Sequence, residues 1–144
     1  MEQRVSMIMT AAENLSALRA FYEVGLGWSP WMPPSHHSIM YKVGHSILVF
    51  LDGPYLAKER GEPVGQGSKT SLAVFVDSRE SVDQIYANAL AAGATKTSSV
   101  RDRDGGLYTG YFADPEGNSW EIVWTPHMKL DADGALTLPT EHNY

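Results

Sequence analysis

The sequence contains no cysteine, which excludes disulfide bonds and metal sites built from thiolates. No apolar run approaches the length of about 18 residues that a membrane-spanning helix needs, and residues 1–10 lack the apolar core of a signal peptide. Basic residues are scarce, because 11 lysines and arginines stand against 17 acidic residues and the formal net charge is −6. A nucleic-acid-binding surface is usually basic. We therefore expect no membrane partner, no nucleic-acid partner and a cytoplasmic location.

Three catalytic signatures are also absent. The sequence has no GxxxxGKS/T phosphate-binding loop, no GxGxxG dinucleotide-binding turn and no GxSxG nucleophile turn. Neither nucleotide binding of these types nor hydrolysis by a serine nucleophile is therefore indicated. The chain of 144 residues has the length of one domain, and its 43% hydrophobic and 19% charged residues favour a folded chain.

Hydrophobic periodicity predicts the order strand, helix, strand, strand, strand, and this order occurs twice. Asn14 and Ser78 are predicted to cap the two helices, which end near Gly27 and Gly93. The segment that begins at Trp28 is predicted to be extended and is interrupted by prolines. The other predicted strands are 5–10, 37–43, 46–51, 71–77, 95–102, 107–113 and 118–125. The repetition indicates an internal duplication of one βαβββ unit.

The predicted domain covers residues 1–125, with modules at about 1–52 and 70–125. Between the modules, residues 53–69 contain prolines, glycines and charges, which favour a linker or surface loop. Within it, the stretch 55–60 could form one helical turn. The tail from 126 to 144 has a turn and no clear long element.

Two segments resemble a known family. The runs NLSALRAFYEVGLGW at 14–28 and GYFADPEGNSWEIVW at 110–124 resemble proteins of the vicinal oxygen chelate superfamily, which includes glyoxalases, bleomycin-resistance proteins and dioxygenases. The resemblance covers about residues 5–125. It implies an α+β fold in which two βαβββ modules form an incomplete barrel around a cleft. It also implies a small-molecule ligand and a homodimer.

The resemblance further implies where a metal would bind. Metal-dependent members take ligands from the first and last strands of each module, and the corresponding positions here are Met7, Leu48 or Phe50, Ser71 and Glu121. Only Glu121 has the expected ligand type, whereas a catalytic zinc ion usually needs about three protein ligands. We therefore predict no cofactor and no metal ligand set, and a divalent metal is the disfavoured alternative.

Strand alternation places Glu121 on one face of the last strand and Trp120, Ile122 and Trp124 on the other. The large apolar face is predicted to pack against a helix, which leaves Glu121 in the cleft. Partial desolvation there would suit a catalytic general base or a charged ligand contact. Neutralisation by a nearby arginine, or no function at all, is the alternative. The other predicted cleft residues are Met7, Met9, Trp28, Trp31, Tyr41, Leu48, Phe50, Ser71 and Tyr111.

Three functions stay open on this evidence. The first is a metal-free protein that binds an aromatic or hydrophobic small molecule, since ligand types are missing and aromatic residues lie in or beside the strands, although core packing also uses them. The second is an enzyme, either a glyoxalase-type lyase or isomerase or a dioxygenase, that uses Glu121 with or without a divalent metal. The third is a structural or interaction module whose cleft is filled by Met7, Met9 and Phe50.

Overall fold

The computed structural model describes residues 7–60, 63–65 and 71–137, without the side chains of residues 59 and 60. The start of the first predicted strand, parts of the predicted linker and residues 138–144 of the tail lie outside the described residues. The chain divides into two compact units. Unit 1 comprises residues 1–67 and 115–117, and unit 2 comprises residues 68–114 and 118–144. None of the helices in the described part of the chain is long and apolar enough to cross a membrane.

Unit 1 is built on a three-stranded sheet. Its elements are β1 (Met7–Ala12), α1 (Leu15–Arg19) with a π-helical continuation (Ala20–Gly25), β2 (Ser38–Val43), β3 (Ser46–Asp52) and α2 (Gly53–Arg60). The strand order is β1-β3-β2, in which β1 runs parallel to β3 and β2 runs antiparallel to it. The Asn14 side chain accepts a hydrogen bond of 2.9 Å from the Ala17 amide, which confirms it as the helix cap.

Unit 2 contains a complete βαβββ module. Its elements are β4 (Ser71–Phe75), α3 (Arg79–Ala91), β5 (Thr95–Arg103), β6 (Leu107–Ala113) and β7 (Ser119–Trp124), followed by a small hairpin of β8 (Lys129–Leu130) and β9 (Leu136–Thr137). The strand order is β4-β7-β6-β5, and β4 runs parallel to β7. In both units the first and last strands of the module are therefore parallel neighbours, which supports the predicted duplication. Ser78 caps α3 by accepting a hydrogen bond from the Ser81 amide.

Two segments of unit 1 differ from the prediction. Residues 28–37 form no regular strand, because their three prolines cannot donate to a strand ladder. The Trp31 amide still donates a hydrogen bond of 2.7 Å to the Met40 carbonyl of β2. Residues 53–60, predicted as linker with one possible helical turn, form the two-turn helix α2. Leu56 of this helix is buried against Val49 and Leu51 of β3, so the segment contributes to the core.

An aromatic cluster fills the space between the sheet of unit 1 and its first helix. The Tyr22 ring stacks on Phe50 at a centroid distance of 5.2 Å and contacts Tyr41 at 5.5 Å and Trp28 at 4.9 Å. Leu18 is fully buried on the same helical face. The opposite face of the sheet is covered in part by α2. The first helix therefore covers one face of this sheet, and α2 covers part of the other face.

The sheet of unit 2 packs one face against α3. Phe112 and Trp120 are register partners on that face, and the Phe112 ring contacts Tyr86 of the helix. At the far end of β7 the Arg79 guanidinium lies 5.8 Å from the Trp124 ring centre. These contacts confirm the prediction that the apolar face of the last strand packs against a helix.

The turn between β6 and β7 holds the start of α1. Its residues 115–117 belong to unit 1, and the Glu116 carboxylate accepts hydrogen bonds from the Glu13 amide at 2.8 and 2.9 Å and from the Asn14 amide. These amides precede the first turn of the helix, where an anion is favourable. The Glu116 side chain therefore provides acceptors for two backbone N–H groups.

We expect Glu116→Ala to lower the free energy of unfolding by about 1–3 kcal/mol, because the variant removes hydrogen bonds to a charged group and leaves two amides without it. Urea denaturation followed by circular dichroism would measure this loss. Glu13→Ala is the matched control, since it removes the same charge from an exposed side chain and should change stability by less than about 0.5 kcal/mol. Equal effects of the two substitutions would contradict the capping role.

Candidate functional site

Glu121 lies on the face of the unit 2 sheet that is turned away from α3, because its neighbours Trp120 and Ile122 point toward the helix. Register pairs place Ala73 beside Glu121 on one side and Tyr111 on the other, and Tyr111 is paired with Ser98 on β5. Residues paired in register share a face. The sheet therefore presents one surface that we call the Glu121 face. Its residues include Ala73, Ser98, Arg101, Arg103, Thr109, Tyr111 and Glu121.

Two hydroxyl groups hold the Glu121 carboxylate. The Thr109 hydroxyl donates a hydrogen bond of 2.8 Å to Glu121 Oε1, and Thr109 is fully buried. Burial raises the pKa of the Tyr111 phenol, and the hydrogen bond to Glu121 and its negative charge raise it further, while Arg103 lowers it. Tyr111 therefore stays a neutral hydrogen-bond donor at neutral pH. Glu121 itself is half-buried and remains partly accessible.

Arg103 belongs to this face although the sequence did not indicate it. The strand register shifts between Ser98 and Arg101, and such a bulge changes the direction of the side chains that follow. Arg103 Nη2 donates a hydrogen bond of 2.7 Å to Ser98 Oγ, and its guanidinium lies 5.4 Å from the Tyr111 ring centre. Simple alternation along β5 could not predict this position. The only sequence signal was the pair of arginines just before a glycine turn.

The predicted cleft residues of unit 1 do not share one face. Met7 and Met9 are 41% and 57% exposed on the face away from α1, where their register partners are Ile47 and Val49. Leu48 and Phe50 point to the other face, where they are 1% exposed in the core under the helix. The grouping of Phe50 with the two methionines was therefore wrong, because the parallel register pairs odd residues of β1 with odd residues of β3. These three side chains do not fill one cavity.

The predicted aromatic positions of unit 1 have different environments. Tyr41 is buried in the aromatic cluster, and burial together with the nearby Glu23 carboxylate raises the pKa of its phenol. Trp28 is half-buried, and Trp31 is 51% exposed. A hollow of about 240 Å³ lies at the edge of β2, and its lining residues are Trp28, Ser29, Tyr41, Lys42 and Val43. The structure therefore brings Trp28 and Tyr41 together, and it buries Tyr41 almost completely.

The donor set at the implied metal positions does not fit a divalent ion. Met7 is a thioether, Ser71 hydrogen-bonds the Ser119 hydroxyl at 2.7 Å, and the β3 positions are apolar. Divalent ions of this kind prefer carboxylate oxygens and imidazole nitrogens. Among residues 7–60, 63–65 and 71–137, no group of three histidine, aspartate or glutamate side chains could hold a metal. Glu121 is thus a carboxylate without the usual co-ligands, and metal independence stays a prediction.

Comparison with known proteins places this fold in a family. Residues 7–123 match the glyoxalase-like domain family, so the chain belongs to it. The chain is similar to a glyoxalase-related enzyme from Fulvimarina pelagi, with 28% sequence identity, coverage of 95% of this chain and 99% of that chain, and a TM-score of 0.89. The predicted α+β fold of the glyoxalase and bleomycin-resistance type is therefore confirmed.

Two further solved structures are similar. One is a glyoxalase/bleomycin resistance protein/dioxygenase family enzyme from Burkholderia phytofirmans PsJN, with 25% identity, coverage of 83% of this chain and 97% of that chain, and a TM-score of 0.73. The other is a lactoylglutathione lyase from Agrobacterium tumefaciens, with 20% identity, coverage of 86% and 95%, and a TM-score of 0.69, which is a likeness of fold alone. No curated protein matches the chain.

Proposed function

We propose that this protein binds an aromatic or hydrophobic small molecule at the Glu121 face without a metal ion. The supporting observation is the Glu121 carboxylate, which hydroxyl groups hold in place of metal co-ligands. A carboxylate has about four acceptor positions, so the bonds from Thr109 and Tyr111 leave capacity for a donor group of the ligand. The half-buried Tyr111 ring offers apolar contact beside this acceptor.

Each residue of the proposed site has a separate part. Glu121 accepts a hydrogen bond from a hydroxyl or amine of the ligand, and Thr109 fixes the carboxylate in the required orientation. The Tyr111 ring supplies apolar contact surface, and its hydroxyl donates the second hydrogen bond to the Glu121 carboxylate. The predicted contacts of Met7, Met9, Trp28, Trp31 and Ser71, together with the homodimer and the cytoplasmic location, stay predictions.

We expect small aromatic ligands with a hydroxyl or amine group to raise the melting temperature by about 5–10 °C at a concentration 100 times the Kd. The effect should be the same with a chelator as with added divalent metal, and differential scanning fluorimetry would measure it. Glu121→Gln should weaken the Kd about tenfold, because it replaces a charged acceptor by a neutral one of the same shape. Glu80→Gln on the exposed side of α3 is the matched control.

Two results would contradict metal-free binding. One is an absence of any shift across a broad panel of aromatic compounds, and the other is a shift that requires added metal. If a hit binds equally well to Glu121→Gln and to the unchanged protein, the ligand does not use the Glu121 face.

An enzyme of glyoxalase type, or a dioxygenase, is the second candidate function. It is favoured by the 28% identity to a protein described as a glyoxalase-related enzyme and by the hydrogen-bonded carboxylate of Glu121. Here Glu121 would act as the general base, a role whose loss typically costs a factor of about 100–10,000 in rate. Turnover of a hemithioacetal or a catechol that disappears in Glu121→Gln would favour this function over simple binding.

A further inference from the structure

The Arg103 side chain on the Glu121 face has an unusual hydrogen-bonding state. A guanidinium carries five N–H donors and no acceptor. Nη2 donates to the neutral Ser98 hydroxyl, whereas Nε is buried and has no acceptor among the described residues. Buried donors without partners are rare in folded proteins and cost free energy. The position of Arg103 is therefore not explained by the hydrogen bonds of the folded chain.

The surroundings of Arg103 do not supply the missing acceptor. The Tyr111 ring lies under the guanidinium and offers a π-face, which attracts the cation without accepting a directed hydrogen bond from Nε. The Tyr111 hydroxyl is engaged by Glu121. The β5 bulge places both Arg101 and Arg103 on this face. Arg101 is exposed, whereas Arg103 is half-buried.

We propose that Arg103, with Ser98, forms an anion subsite that binds the carboxylate of a small ring-containing ligand, while Glu121 accepts a hydrogen bond from a hydroxyl or amine at the other end of that ligand. The proposal rests on the proposed function and names the ligand class. The planar guanidinium fork matches a carboxylate in two parallel hydrogen bonds, and one of these would satisfy Nε.

The spacing of the two polar ends fits a ligand of about one ring. The Arg103 guanidinium reaches Ser98 of β5. Ser98 pairs with Tyr111 of β6, which pairs with Glu121 of β7, so the two polar ends are about two strand spacings, or roughly 10 Å, apart. Tyr111 of β6 touches both groups, since its ring lies under Arg103 and its hydroxyl reaches Glu121. A ring lying over this strand could therefore place an acid near Arg103 and a donor near Glu121. The opposite charges at the two ends fix the direction in which the ligand lies.

The experiment compares two probes that differ in charge at one end. Isothermal titration calorimetry of the unchanged full chain with 4-hydroxybenzoate and with 4-hydroxybenzamide should show at least tenfold tighter binding of the acid. Arg103→Gln should raise the Kd of the acid on the order of 10–100-fold and leave the Kd of the amide unchanged, because only the acid makes charge-assisted hydrogen bonds to the guanidinium. Inorganic phosphate, which has no ring, should compete only weakly.

Lys96→Gln is the matched control, because it removes the same charge from an exposed position of β5 whose register partner Phe112 lies on the α3 side of the sheet. It should change the Kd of the acid by less than about twofold. Arg103→Lys provides a second variant that keeps the charge and loses the fork, and it should recover only part of the affinity.

The possible outcomes separate this proposal from the one on which it rests. Equal binding of acid and amide, or equal losses in Lys96→Gln and Arg103→Gln, would overturn the anion subsite and leave metal-free binding of a ring compound in place. Phosphate that competes as well as 4-hydroxybenzoate would overturn the assignment to a ring carboxylate. A lack of binding by both probes and by every other aromatic compound would overturn both proposals.

Discussion

Phe50→Ala is expected to lower the free energy of unfolding by about 3–5 kcal/mol. Phe50 is 1% exposed, stacks on Tyr22 and meets the edge of Tyr41, so its removal leaves a cavity among rings that cannot easily collapse. Equilibrium urea denaturation, with tryptophan fluorescence and far-ultraviolet circular dichroism as separate probes, would measure the loss.

Met9→Ala is the matched control for this prediction. Met9 lies on β1, the strand beside β3, and its side chain is 57% exposed, so its removal should cost less than about 0.5 kcal/mol. The conservative variant Phe50→Leu should retain most of the stability and should not change the Kd of any ligand found. A small loss in Phe50→Ala, combined with a large change in ligand affinity, would instead return Phe50 to a ligand-binding surface.

The elements with strong local signals could be predicted from the sequence. Asn14 and Ser78 cap their helices, because a short polar side chain just before an amphipathic stripe can accept a hydrogen bond from an amide of the first turn. The predicted strands 37–43 and 46–51 leave a connection of two residues, and it joins β2 to β3 with Gly44 at a positive φ of 58°. The position of Glu121 on the face turned away from α3 followed from strict alternation between bulky apolar and smaller residues in β7. Each of these features depends on residues close together in the chain.

The predictions that proved wrong concern features that depend on pairing between residues far apart in the sequence. The face occupied by Phe50 follows from the parallel register of β1 with β3, and a shift of one residue reverses every side chain of a strand. Residues 46–51 are apolar on both faces, so the sequence could not select which set lies under the helix. Segment 28–37 was predicted as extended, and its prolines exclude the ladder bonds of a regular strand.

The candidate site shows the same division. Glu121 could be predicted because a family resemblance and strand alternation both indicate it. Arg103 could not, since its direction depends on a bulge that no local residue pattern specifies. Glu116 lies in the turn between β6 and β7, and its bonds to the amides of Glu13 and Asn14 join positions about a hundred residues apart. The direction of Arg103 and the hydrogen bonds of Glu116 thus depend on the tertiary structure and not on residues nearby in the chain.

Gly110→Ala is expected to lower the free energy of unfolding of the protein by about 1–3 kcal/mol, although alanine is the smallest possible addition. A Cβ at this position would lie 2.7 Å from Val100 Cγ2 and 3.0 Å from two atoms of the Tyr86 ring. The ring cannot retreat freely, because the Tyr86 hydroxyl donates a hydrogen bond of 3.0 Å to the Ser98 carbonyl. The absent side chain therefore allows α3 to approach β6, which explains a glycine in a strand interior.

Two further variants test whether overpacking is the cause of this loss. Gly53→Ala places a Cβ no closer than 3.7 Å to the Ala12 carbonyl, so it should be neutral or slightly stabilising through the unfolded chain. In a Val100→Ala background the closest contact is gone, and Gly110→Ala should then cost clearly less than in the unchanged chain. This coupling, measured by a double-mutant cycle in urea, is specific to a steric cause. Additive losses would mean that the glycine is required for its backbone and not for the approach of Val100 and Tyr86.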